Sequence, residues 1–187
     1  MKTLGYFLVL AILVFAGCTK DDVLFENQDN LELKKAKVPI PVKYDSYVVW
    51  DEESDLVLIE GLDPNDPSSY AYSKLICSGT ATHMGKINSE KSFYTLERLV
   101  LFFEDGIPYT RNTGKGILVG ANGDSFEFSF TVVQNAIDKT CTGVNEITPG
   151  TGTGRLEGYT GTIYMSGGLV EDKSMFLFNC EGYLVYE

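Results

Sequence analysis

The sequence has few of the residues that build metal and redox centres. It contains a single histidine, His83, and its four cysteines form no C-x-x-C pair, so a His-rich zinc site is excluded. It also lacks the Gly-x-x-x-x-Gly-Lys-Ser/Thr loop that cradles phosphates and the Gly-x-Ser-x-Gly turn of serine hydrolases. No catalytic residue, metal or cofactor is therefore predicted.

Positive charge is also scarce. Lys and Arg number 15 against 26 Asp and Glu, which gives a formal net charge of −11. Such a chain repels the phosphates of nucleic acids, so nucleic acid is excluded as a partner. The only long apolar run lies near the N-terminus and falls short of the roughly 20 residues that a membrane-spanning helix needs.

That run belongs to a leader-like segment, residues 1–17. Lys2 supplies a positive start, residues 4–15 are apolar apart from Gly5, and Ala16-Gly17 provides small residues for cleavage. The pattern predicts a secretory signal that is removed. Cys18 follows at the position that a bacterial lipobox requires, which predicts a lipidated cysteine. The alternative is an ordinary signal cut near Gly17, with Cys18 incidental.

Two or three acyl chains on Cys18 would form a durable membrane anchor. The next residues, Lys20, Asp21 and Asp22, resemble the export signal of surface-exposed lipoproteins in some Gram-negative bacteria. The resemblance implies an outer-membrane lipoprotein displayed on the cell surface. The alternative is that these charges simply begin a solvated tether. Residues 18–35 are predicted to be the lipidated cysteine and a flexible acidic tether, and residues 36–187 a single domain.

Three further cysteines, Cys77, Cys141 and Cys180, remain after the anchor. An odd number permits at most one disulfide among them. Cys77 and Cys180 lie in strand-like apolar runs and are predicted to be small buried apolar residues.

Turn residues divide the rest of the chain into short segments rich in Phe, Tyr and Thr, a composition that favours strands. Residues 126, 128, 130 and 132 are apolar and alternate with polar ones, which indicates a half-buried strand. Residues 89–101 are the one segment for which a helix is an alternative prediction, and their Phe, Tyr and Thr content favours a strand. Asn122-Gly123 predicts a hairpin with a type I′ turn. Strands are predicted over residues 38–50, 70–82, 92–103, 116–121, 125–134, 143–148, 158–169 and 175–186.

Residues 51–69 are predicted to be a long acidic loop. Its carboxylates invite a calcium site, but the glycine and terminal glutamate of an EF-hand loop are missing at the required spacing. No metal is predicted there. Loops on rigid scaffolds commonly carry function, so an interaction role is an alternative for this segment.

The fold class predicted from these segments is all-β, an antiparallel β-barrel of about eight strands. Pairing the last strand with the first removes both exposed sheet edges. A barrel of this size has an interior that side chains nearly fill or that holds one small ligand.

The glycine-rich run 150–161 contains Thr153-Gly154-Arg155-Leu156-Glu157-Gly158 and then Gly161. It resembles the connection between two strands in the allene oxide cyclase and dirigent barrels. Residues 122–125 and 82–85 are similar to the preceding hairpin and the early strand end of that family. The resemblance implies an eight-stranded antiparallel barrel, lipocalin-like in outline. Tyr159 departs from the pattern, the plant catalytic residues have no matching positions, and turns alone would also explain the glycines.

His83, Arg155 and Glu127 are the candidate ligand-binding residues, since a histidine and an arginine can orient a polar or anionic ligand. Structural alternatives are that His83 bonds a nearby carbonyl and that Arg155 pairs with Glu157 outside the barrel. Three functions follow. The favoured one is non-enzymatic binding of a small apolar or glycan-like ligand in or at the barrel; the alternatives are a protein-interaction or adhesion module with a filled barrel, and a cyclase-like or isomerase-like enzyme.

Overall fold

The computed structural model describes residues 38–170 and 174–187. The predicted signal peptide, the lipidated Cys18, the Lys20, Asp21 and Asp22 export signal and the tether all lie outside the described residues. Everything below concerns the domain that follows them.

Within these residues the chain is nearly all β and has no α-helix. Two 3-10 turns, η1 (Pro67–Ser69) and η2 (Gly154–Leu156), interrupt the strands. The strands are β1 (Ile40–Trp50), β2 (Leu56–Glu60), β3 (Tyr70–Tyr72), β4 (Lys74–Ala81), β5 (Gly85–Ile87), β6 (Phe93–Glu104), β7 (Ile107–Val119), β8 (Ser125–Asn135), β9 (Thr140–Ile147), β10 (Tyr159–Val170) and β11 (Met175–Tyr186).

One sheet contains all of these strands, and eight of them close into a ring in the order β6-β7-β8-β9-β10-β11-β1-β4. The ring closes where β4 pairs with β6, from Lys74 opposite Thr95 to Ile76 opposite Phe93. Every pairing in the ring is antiparallel. The last strand pairs with the first, as predicted. Strand β5 adds to β4, while β2 pairs in parallel with β6 and carries β3.

The side chains that fill the interior of the ring come from alternate residues of each strand, as the alternation in the sequence predicts. On β8, Phe126, Phe128, Phe130 and Val132 are all buried, as predicted. Opposite them on β7, Gly114 faces Phe130 and Gly116 faces Phe128. A Cβ atom at Gly116 would collide with the ring of Phe128, and one at Gly114 would collide with the carbonyl oxygen of Thr95 and press on the ring of Phe130. The missing side chains on β7 therefore make room for the aromatic rings of β8.

Two predictions, one about a loop and one about a strand, are wrong. The predicted loop 51–69 contains strand β2, whose Ile59 and Glu60 pair with Leu99 and Val100 of β6. This pairing lies beyond the part of β6 that β4 covers, and the sequence alone does not show it. The predicted strand 70–82 is divided into β3 and β4, and β3 turns back on β2.

The prediction of a type I′ turn at Asn122-Gly123 is wrong, although the hairpin itself is present. At the β7–β8 connection only Gly123 has positive φ, 89°, and five residues separate the two strands. The two-residue turn with positive φ at both positions is Asp105-Gly106, at 51° and 79°, between the paired Glu104 and Ile107. Asp-Gly has the same preference for this turn as Asn-Gly. Residues 93–101 belong to strand β6 and residues 89–92 contain no helix, so the competing helix is excluded.

The ring has two ends, which we name after a residue at each. At the Trp50 end, β1 finishes and β4 and β11 begin. At the Leu156 end, η2 connects β9 to β10, and the side chains of Leu156 and Met84 are buried there. In residues 38–170 and 174–187, no helix is long and apolar enough to cross a membrane.

Candidate functional site

The Trp50 end of the ring contains an apolar cavity of about 40 Å³ that opens to solvent. Inward-facing residues of all eight ring strands form its wall, because alternate residues of each strand point to the interior. The wall includes Trp50, Leu96, Phe130, Cys141, Met165 and Phe176.

Aromatic rings hold the wall of this cavity in place. Trp50 meets Phe176 edge to face with 5.9 Å between ring centroids, and Phe176 stacks on Phe178 at 6.0 Å. Tyr94 meets Phe130 edge to face at 5.2 Å. Offset and edge-to-face pairs of this kind are favourable beyond the area that they bury, so the wall is a packed surface.

A buried polar cluster lies in the interior of the ring. The side-chain amide of Asn145 donates to the hydroxyl of Tyr44 at 2.7 Å and to that of Tyr94 at 3.3 Å. Asn145 has no exposed surface, and the two tyrosines are buried. Burial raises the pKa of both tyrosine hydroxyls well above the ordinary value. The cluster is therefore neutral, and Tyr94 contributes both to it and to the cavity wall.

The cavity itself is electrically neutral. Tyr94 and Cys141 are the two titratable residues among those that line it, and burial, with a smaller effect of the Asp138 charge, raises the pKa of Cys141 to about 12. One amide, Asn112, also lines the cavity. Its Oδ1 atom is buried and has no hydrogen-bond partner among the described residues.

At the Leu156 end, Arg155 ties three segments together. Its Nε donates to the carboxylate of Asp124 at 2.8 Å, and its Nη2 donates to the carbonyl oxygen of His83. The hydrogen bond from the Arg155 guanidinium is the main reason that the pKa of Asp124 lies below its ordinary value. Arg155 thus pairs with Asp124, where the sequence suggested Glu157. His83 has positive φ, 68°, and its Nε2 lies 3.2 Å from the carbonyl oxygen of Pro41.

The structure brings two of the three predicted ligand residues together. His83 and Arg155 both line a depression of about 80 Å³ at the Leu156 end, beside Leu156 and Tyr159. Glu127 is not with them. It faces outward on β8 and lines a separate surface depression with Lys115.

Sequence reasoning missed the residues of the apolar cavity. Asn112 lies in the first half of β7, which the sequence did not predict as a strand, so its inward position was not visible. Trp50 was placed in a strand but was not distinguished from other core residues. They could have been found by marking, on every strand of a closed ring, which alternate residues face inward and then collecting those at one end of the ring.

The three cysteines that the structure describes, Cys77, Cys141 and Cys180, are free thiols. Cys77 and Cys180 are fully buried, which confirms the prediction that they act as small apolar residues. Within residues 38–170 and 174–187, no group of three or more His, Cys, Asp or Glu side chains could hold a metal ion.

Comparisons with known proteins find no match for this chain among protein-family models, curated proteins or solved structures.

Proposed function

We propose that this chain is a lipid-anchored outer-membrane lipoprotein, displayed on the cell surface, whose ring domain binds a small apolar group in the cavity at its Trp50 end. The binding is non-enzymatic. The observation that carries the proposal is the cavity itself, a solvent-open space with an almost wholly hydrocarbon wall inside a rigid ring of strands.

For the fold we propose a closed β-barrel of the allene oxide cyclase and dirigent type. The ring of eight antiparallel strands supports this. So does the glycine-rich run 150–161, which lies largely in the connection from β9 to β10. Gly150, Gly154 and Gly158 all have positive φ there, the conformation for which glycine is the default residue. Turn geometry accounts for these glycines whichever family the barrel belongs to.

The size of the cavity limits its ligand. On the scale on which a single water requires about 10–15 Å³, a space of about 40 Å³ takes one ring or one short branched hydrocarbon group. Sites for whole drug-sized ligands have several hundred Å³. A sugar ring would bury hydroxyls against hydrocarbon without partners, which is unfavourable. The geometry therefore favours the apolar over the glycan-like ligand.

The binding proposal is tested by titrating the purified full-length protein with toluene and following its NMR spectrum. We expect shifts of the Met165 methyl and Trp50 indole resonances, which Val132→Phe abolishes because the larger side chain fills the cavity. Val133→Phe, at the next position of β8, is the matched control and should leave toluene binding unchanged. An absence of shifts in the wild type, or their persistence in Val132→Phe, would contradict the proposal.

The anchor is tested separately. Cells that express the chain are grown with radiolabelled palmitate, and label should enter the wild type but not Cys18→Ser. Replacement of Lys20, Asp21 and Asp22 by alanine should retain label while reducing digestion by protease added to intact cells. Equal labelling of Cys18→Ser would contradict the lipid anchor, and unchanged digestion of the triple variant would contradict the export signal.

A second candidate function is a protein-interaction module. It is favoured by exposed apolar side chains on the outer face of β1 and β11, where Tyr47 lies opposite Leu177 and Val49 is close by. Contiguous exposed apolar surface marks interaction sites. If this function is correct, Tyr47→Ser with Leu177→Ser abolishes cross-linking to a partner at the cell surface, while Val132→Phe does not.

A further inference from the structure

We infer that the ligand of the Trp50-end cavity is a small neutral phenol or aryl alcohol, whose hydroxyl donates a hydrogen bond to Oδ1 of Asn112. This inference rests on the proposed function, because it adds a chemical class to the apolar group already assigned to the cavity. It depends on one atom in the wall that the fold leaves without a partner.

Asn112 lies on β7, opposite Leu99 on one side and Val132 on the other. The side chain lines the cavity, and Oδ1 is buried without a hydrogen-bond partner. Buried carbonyl oxygens in folded proteins nearly always accept a hydrogen bond, and each exception requires an explanation. The residue as a whole is half-buried although Oδ1 itself is not exposed, so the inference includes a turn of the amide about its Cβ–Cγ bond that brings Oδ1 to the cavity.

Protein donors in the wall are already engaged elsewhere. The hydroxyl of Tyr94 points to the sulfur of Met165 at 3.8 Å, and the thiol of Cys141 points to the carbonyl oxygen of Lys139 at 3.7 Å. The other wall residues beside Asn112 present hydrocarbon, apart from the indole N–H of Trp50 at the rim, which has no hydrogen bond to Asn112. None of the described wall residues donates to Oδ1, so the hydroxyl of a ligand can supply the donor.

The charge of the ligand follows from the same wall. Neither Tyr94 nor Cys141 ionises near neutral pH, and no Lys, Arg, Asp or Glu lines the cavity. A carboxylate or an ammonium group would lose its hydration there without a counter-charge. A ligand with one aromatic ring and one neutral hydroxyl fits the volume of the cavity and its apolar wall. Its hydroxyl can donate to the unpaired acceptor in that wall, Oδ1 of Asn112.

The test compares phenol with toluene, which have nearly the same size but differ by one hydrogen-bond donor. Dissociation constants of both are measured by NMR titration for the wild type, for Asn112→Leu and for the surface control Asn179→Leu. We expect the preference for phenol over toluene to fall by about threefold to tenfold in Asn112→Leu, the range that one neutral hydrogen bond provides. Asn179→Leu should keep the wild-type preference.

A second measurement needs no variant. In the wild type, phenol but not toluene should move the side-chain amide resonances of Asn112, so the inference stays testable if Asn112→Leu does not fold. If both compounds bind, the preference is unchanged in Asn112→Leu and the Asn112 amide does not respond to phenol, the inference is overturned and the proposed function stands. If neither compound binds the wild type, the proposed function fails and the inference fails with it.

Discussion

Asn145 and Tyr44 are joined across the interior of the ring by a hydrogen bond of 2.7 Å, although their strands, β9 and β1, are not neighbours in the sheet. The same amide reaches Tyr94 on β6 at 3.3 Å. One buried side chain therefore connects three separate parts of the ring. A polar group at such a position stabilises the fold only while its partners are in place, since an unpaired buried hydroxyl is costly.

Asn145→Ala is expected to lower the free energy of unfolding by about 1–3 kcal/mol, because the hydroxyls of Tyr44 and Tyr94 lose their donor inside the core. The measurement is urea unfolding followed by tryptophan fluorescence. Asn179→Ala is the matched control. Asn179 is exposed and bonds Asp45 at 3.2 Å, so its loss should change stability by no more than about 0.5 kcal/mol. Equal effects of the two variants would contradict a bridging role for Asn145.

Gly116 tests the packing between β7 and β8. A Cβ at this position would overlap the ring of Phe128 and approach the carbonyl oxygen of Phe93 at 2.7 Å. Gly116→Ala is therefore expected to destabilise the domain by about 1–3 kcal/mol, the usual effect of overpacking a core. Lys115→Ala, at the adjacent outward-facing position, should have a small effect because its ion pair with Glu97 is exposed. Thermal unfolding of both variants distinguishes the two outcomes.

The strand pattern could be read from the sequence because it depends on local features. Alternating Phe126, Phe128 and Phe130 predicts a strand with one buried face whatever it packs against. Strand β2 could not be read in this way. Its Ile59 and Glu60 pair with β6, 40 positions further along the chain. A run of four apolar residues that ends in a glutamate has no periodicity that distinguishes a strand from a loop.

The candidate site was harder to predict than the fold. His83 and Arg155 meet because the loop after β4 and the loop before β10 lie at the same end of the ring, and the sequence places both near strand ends. The cavity needs inward-facing residues from all eight ring strands at the same end of the ring. No short motif encodes that set, since each member looks like an ordinary core residue in its own strand.

The free thiols provide a prediction about reactivity. With pKa values raised to about 12 by burial, Cys77, Cys141 and Cys180 are thiols at neutral pH, and only the thiolate attacks alkylating reagents. Iodoacetamide at pH 8 should leave all three unmodified in the folded chain and modify all three in urea. Cys141 should react first as pH rises, because its side chain lines the open cavity. Peptide mass spectrometry measures each site, and rapid labelling of Cys77 or Cys180 in the folded chain would contradict their burial.

The Arg155–Asp124 pair provides a prediction about acid. Its hydrogen bonds hold the pKa of Asp124 in the folded chain below the ordinary value. The stabilisation is therefore fully present above the unfolded pKa, about 3.9, and is lost as pH falls through the folded pKa. Asp124→Asn should be less stable than the wild type at pH 7, and the difference should shrink below about pH 4. Urea unfolding from pH 7 to pH 2 measures it.

The partner residue supplies the control for that experiment. Arg155→Gln removes the same interaction from the other side and also the hydrogen bond to the carbonyl oxygen of His83. Its loss near pH 7 should therefore be at least as large, and only the part that depends on the Asp124 charge should disappear in acid. Because the two side chains act through one contact, the double variant should be no less stable than the worse single variant. Additive losses, or a difference between Asp124→Asn and the wild type that persists unchanged at pH 2, would mean that Asp124 stabilises the Leu156 end through its buried packing and not through its charge.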